Sequence, residues 1–121
     1  IYEFMSTLNP QITYSSAEFL NLFGKYQNKH KIDSITAAAY RVGAPIFSPG
    51  MADSGYGIAA YLLRKEKKLH IILDQFKDFE QLGKIGDRAK NTSVVYIGGG
   101  VPKDTIQLIS IMKDLGRGGC I

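Results

Sequence analysis

The chain has 121 residues, 45% apolar and 21% charged, a composition that builds one small domain with a core and excludes disordered and membrane-spanning classes. The net charge is +4, and the one dense basic patch, Arg64, Lys65, Lys67 and Lys68, is broken by Glu66; a solvated turn accounts for it, so neither nucleic acid nor membrane is expected as a partner. Cys120 is the single cysteine, which excludes a disulfide framework and a cysteine metal cluster and fits a reducing, cytoplasmic setting.

In chain order, Ile1, Phe4, Met5 and Leu8 have helical spacing up to Asn9-Pro10, where a helix must stop. Residues 11–14 read as a connector. Ser15 and Glu18 have capping-box spacing, and Phe19, Leu20, Phe23 and Tyr26 share one face, which predicts a helix over 16–28. Asp33 or Ser34 caps an alanine-rich helix, SITAAAYRV, that ends at Gly43. Residues 44–47 predict a short strand, followed by a glycine-rich loop, SPGMADSGYG, that contains Asp53. A helix over 58–64 ends in the basic patch, and LHIIL at 69–73 predicts a buried strand. Asp74 opens a helix with Phe76, Phe79, Leu82 and Ile85 on one face. SVVYI at 93–97 predicts a third strand, Gly98, Gly99 and Gly100 a turn, and 105–115 the last helix. Gly116 to Gly119 then form a turn, with Cys120 and Ile121 placed where another strand should start. Alternating strands and helices with short links predict an α/β fold, a three-layer, doubly wound, Rossmann-like parallel sheet. Because the chain opens inside an apparent helix and stops at a strand start, it reads as a piece of a longer protein, cut inside the fold.

In such sheets ligands bind beyond the carboxyl ends of the strands. Three loops meet that rim, two of them glycine-rich, and each carries an acid: Asp53, Asp74 and Asp104. The helix after the glycine turn points its first N–H groups back at Gly98 to Gly100, an arrangement suited to an anion. Asp53 has two readings, an acceptor for a ribose hydroxyl or ligand amine, or the cap of the helix that begins near Gly57. Asp104 has the same two, ligand contact or helix cap, while Asp74 reads as a cap. Tyr56, between Gly55 and Gly57, is a candidate pocket-lining residue. Lys103 reads as an exposed helix-start lysine, His30 as solvated and His70 as a structural residue in a strand. The glycine turn matches neither the dinucleotide fingerprint nor the P-loop, no His or Cys pair has metal-ligand spacing, and no Gly-x-Ser-x-Gly elbow occurs.

The two loops together, PIFSPGMADSGYG (45–57) and VVYIGGGVPKD (94–104), with SITAAAYRVGAPIF before the first, resemble deoxyhypusine synthase and its archaeal and bacterial relatives. The resemblance covers nearly the whole chain and is firmest over 33–116. It implies that residues 1–121 are part of a single NAD-binding domain, truncated at both ends. It implies an NAD-dependent transferase that oxidises and cleaves spermidine and passes the aminobutyl group, through an imine on an enzyme lysine, to a lysine of a translation factor precursor. Such enzymes are homotetramers with active sites between paired subunits. Carried over residue by residue, Asp53 matches the NAD-binding aspartate, and Gly99 a glycine that contacts NAD, with Gly98 and Gly100 shaping the turn. The family often has a second aspartate five residues after Asp53, where this chain has Ile58, and a histidine four residues after Gly100, where it has Asp104; a carboxylate at 104 can pair with a substrate ammonium group. Leu108 likewise stands where some members have a polar residue. The family's nucleophilic lysine matches none of the lysines here, so no catalytic residue is assigned and the chain alone is expected to be inactive.

Two alternatives remain beside that reading. One is a related polyamine transferase of the homospermidine-forming type, and the other a non-catalytic α/β subunit that keeps the NAD-side rim. A Trp-Gly-Lys-like segment further along the parent chain separates the enzymes from the subunit.

Overall fold

The computed structural model describes residues 1–116 and divides into two compact units, Ile1–Gln75 and a second that begins at Phe76. Helix dominates both. The first unit contains α1 (Tyr2–Ser6), β1 (Thr13–Tyr14), α2 (Ser16–Lys29), α3 (Ile35–Val42), α4 (Gly55–Lys67) and β2 (Ile72–Leu73). Then come α5 (Gln75–Arg88) and α6 (Val101–Gly116).

Local signals account for most of the helices. Ser15 Oγ accepts from the Glu18 N–H and the Glu18 carboxylate accepts from the Ser15 N–H, at 3.0 and 2.9 Å, so both ends of the capping box close and start α2. Ser34 Oγ accepts from the Ala37 N–H at 3.0 Å and caps α3. Gly43, at φ 71°, ends it in the left-handed region that favours glycine. Lys68 closes α4 at φ 55°, after Arg64, Lys65 and Lys67 in the last turn, where cations suit the negative end of the helix dipole. The basic patch is thus the exposed end of a helix.

An aromatic cluster forms the centre of the first unit. Phe4 of α1 meets Phe19, Phe23 and Tyr26 of α2 at centroid distances of 5.5, 5.1 and 5.5 Å, within the range where tilted and edge-on pairs are favourable. Leu63, Met51 and Ile71 complete the core around them.

The sheet is smaller than the alternation of elements predicts. β1 and β2 pair in parallel, Thr13 opposite Ile72 and Tyr14 opposite Leu73, which makes a mixed α/β fold with a two-stranded parallel sheet. The strand expected at 69–73 is shortened to 72–73, and His70 lies exposed before it rather than within it. Its partner is the segment expected to be a connector. The strands expected at 44–47 and 93–97 are not formed, because neither segment has a neighbouring strand to complete its ladder. In the second unit α5 faces α6 across glycines: a Cβ added at Gly83 would lie 3.2 Å from Met112, and one at Gly86 3.1 Å from Ile109. Of the expected apolar face of α5, Leu82 is buried whereas Phe76 and Ile85 are exposed. Cys120, the strand start at 120–121 and most of the turn before it lie outside the described residues.

Candidate functional site

The first unit carries the Asp53 loop. Residues 44–48 follow α3 without regular structure, and Ser48 donates its N–H to the buried Ser16 Oγ of α2 at 2.8 Å. Gln75 Nε2 donates to the Pro49 carbonyl at 2.6 Å. Met51 drops into the core, and the Asp53 N–H closes a turn onto the Gly50 carbonyl at 3.1 Å. Ser54, not Asp53, caps α4: its Oγ accepts from the Tyr56 N–H at 3.2 Å and donates to the Met51 carbonyl at 2.6 Å. Gly57 is dictated by close approach, since a Cβ there would strike the Ala52 carbonyl. The Asp53 side chain is therefore released from capping. It is exposed, with no hydrogen-bond or ion-pair partner among the described residues.

Tyr56 is turned the other way. Its ring stands edge-on to Phe19 and Phe23 at 5.4 and 5.6 Å, and burial pushes its phenol above the ordinary value. It packs against the core, which corrects its reading as a pocket-lining residue. Ile58, one residue past Gly57, stands 65% exposed on α4, an apolar side chain where a substrate-pairing carboxylate is expected from the resemblance.

The second unit carries the glycine turn and Asp104. Gly98 and Gly100 have φ of 85° and 89°, conformations that side-chain-bearing residues rarely adopt. Nothing lies within 4 Å of a Cβ added at Gly99, so the turn presents bare backbone. The last helix starts four residues earlier than predicted, at Val101, directly after Gly100. That places Asp104 inside its first turn, its N–H on the Gly100 carbonyl at 3.2 Å, rather than at the cap. The Asp104 carboxylate is exposed, and a negative charge there suits the positive end of the helix. Pro102, which has no N–H to lose, fits the same turn. Residues 94–99 with Pro102, Lys103 and Ile106 line an open groove of about 340 Å³, and Lys103 Nζ lies 6.0 Å from the centroid of the Tyr96 ring.

Gly98, Gly99, Gly100 and Asp104 thus share one loop–helix junction, while Asp53 belongs to the other unit. Asp74 precedes α5 and donates its N–H to the Tyr14 carbonyl at 2.8 Å. Sequence reasoning did not single out Ser16, Ser54 or Gln75. Ser54 had a legible signal, a serine just ahead of a helix. Ser16 and Gln75 had none, because their partners lie 32 and 26 residues away. Among the described residues no group of His, Cys, Asp and Glu is arranged to hold a metal ion, and no helix is long and apolar enough to cross a membrane.

Comparison with known proteins agrees with the resemblance of the two loops. The sequence model of deoxyhypusine synthase matches residues 1–120. The chain is 39% identical over 107 residues to the probable deoxyhypusine synthase 2 of Methanosarcina acetivorans, covering 87% of this chain and 31% of that protein. It is 42% identical over 101 residues to the probable deoxyhypusine synthase 2 of Archaeoglobus fulgidus, covering 84% and 33%. With the deoxyhypusine synthase-like protein of Coxiella burnetii it shares 38% identity over 112 residues, covering 88% and 31%. The chain therefore spans about a third of the length of these curated relatives. With the family match running almost end to end and both loops inside it, this chain belongs to the deoxyhypusine synthase family.

Proposed function

We propose that this chain supplies part of the NAD-binding domain of a deoxyhypusine synthase, which transfers the aminobutyl group of spermidine to a lysine of a translation factor precursor. The observation that carries the reading is the free Asp53 carboxylate, released from helix capping by Ser54, in a chain of this family. Each unit by itself offers groups that suit a part of NAD. An exposed carboxylate accepts from ribose hydroxyls, and a glycine turn with open space at Gly99 admits a phosphate-bearing group to its backbone. Bound NAD would supply the hydride acceptor for oxidation of the amine substrate. The chain's own residues bind and orient: Asp53 takes ribose hydroxyls, Gly98, Gly99 and Gly100 give main-chain approach, and Asp104 pairs with a substrate ammonium group.

In the same reading, residues 1–121 form part of one doubly wound, Rossmann-like NAD-binding domain. The exposure of Val95 and Ile97, at 85% and 98%, supports this, because apolar side chains at that density belong against a sheet's covering layers. The enzyme is cytoplasmic and homotetrameric on this reading.

A second reading is favoured by Ile58. An exposed isoleucine cannot pair with an amine, which supports a relative that delivers the aminobutyl group to a small amine, as a homospermidine-forming enzyme does.

The test is calorimetric titration with NAD, followed by transfer of labelled spermidine in the parent protein. Asp53→Asn should weaken NAD binding by about tenfold or more, the loss of charge-assisted hydrogen bonds, and unchanged affinity overturns the assignment. Label on a lysine of the precursor supports the first reading, and label on a small amine the second.

A further inference from the structure

We propose that Gln75 and Ser16 are positioning residues for the Asp53 loop, a role that rests on the reading of Asp53 as a ligand-binding carboxylate. Residues 44–54 take part in no β-ladder, so sheet pairing does not set the height of the loop. Two side chains from different elements hold its backbone instead. Ser16, 1% exposed in α2, accepts from the Ser48 N–H at 2.8 Å. Gln75, the first residue of α5, donates to the carbonyl of the next residue, Pro49, at 2.6 Å. Pro49 has no N–H, so its carbonyl is the only main-chain polar group it offers. Gln75 is itself anchored: it follows Asp74, whose N–H bonds to the Tyr14 carbonyl at 2.8 Å as the β1–β2 pairing ends. A line of backbone and side-chain hydrogen bonds therefore runs from the two-stranded sheet to the loop that presents Asp53. Neither residue bonds to Asp53, so both act through the main chain.

Gln75→Glu separates this role from general stability. It keeps the shape, removes the donor and sits on the surface. The readout is amide hydrogen exchange at Asp53, whose N–H bonds to the Gly50 carbonyl within the loop and so responds to release of the loop as a whole. In the full chain, Gln75→Glu and Ser16→Ala should each speed that exchange by about fivefold, as expected for losing one hydrogen bond, with the unfolding midpoint of Gln75→Glu unchanged. NAD binding should weaken several-fold in parallel, and Gln75→Lys, which restores a donor, should recover both. Unchanged Asp53 exchange in both variants overturns the proposal. Faster exchange without weaker NAD binding, where Asp53→Asn does weaken it, overturns the functional half. Faster exchange where Asp53→Asn has no effect on NAD supports the positioning and overturns the ribose reading of Asp53 instead.

Discussion

Tyr56 carries a proton that folding holds more tightly than water does. Its ring is half-buried against Phe19 and Phe23, and the cost of placing a phenolate there raises its pKa. Below the free phenol value, about pH 10, folded and unfolded chains both keep the proton and stability is unaffected. As pH rises past it the unfolded chain ionises first, so stability falls until the folded group ionises too. Tyr56→Phe should therefore lose less than the native chain between about pH 8 and pH 11, as measured by thermal unfolding. Equal losses would exclude Tyr56 as the responsible group. The phenol of Tyr2 is raised for a different reason, first its hydrogen bond to the Glu66 carboxylate at 2.7 Å.

At the scale of elements, helix starts and ends follow from a few residues, and the loop before α4 is shaped by one. Gly57 lies under the Ala52 carbonyl, so Gly57→Ala forces the loop or the first turn of α4 to move, at about 1–3 kcal/mol. Gly55→Ala is the control. Its added Cβ would lie 3.6 Å from Ile1, an ordinary contact, and the change should stay within about 0.5 kcal/mol. Urea unfolding of the two variants checks the contrast, and equal effects would mean that the approach to Ala52 does not constrain the loop. The capping box of α2 and the Gly43 stop of α3 were legible in sequence, since the partners lie within a few residues of each other. β1 was not, because two residues show no alternation and their partner is 59 positions away, 72 less 13.

For the molecule as a whole, the consequence of unpaired strands is exposed apolar surface. Val95 and Ile97 stand 85% and 98% exposed in a segment rich in β-formers, the kind of stretch that pairs between chains. Val95→Lys with Ile97→Lys should keep the chain monomeric at concentrations where the native sequence scatters light, without lowering its unfolding midpoint. Undiminished scattering would place the sticky surface elsewhere, for instance on Ile35 and Val42 of α3, which are also exposed.

The sequence by itself determined the capped helices, the glycine turn, the two loops and, through those loops, the family. These depend on contacts between near neighbours: an α-helix closes each N–H onto a carbonyl four residues back, and a cap adds a side chain beside it. Only the tertiary structure decided that Thr13 and Tyr14 pair with Ile72 and Leu73, that 44–47 and 93–97 stay out of the sheet, and that Ser54 frees Asp53. A strand's hydrogen bonds belong to another strand, which apolar patterning does not name. Which of two adjacent residues, Asp53 or Ser54, turns its oxygen toward a helix start is set by how the loop folds, with Met51 in the core and the Ala52 carbonyl against Gly57.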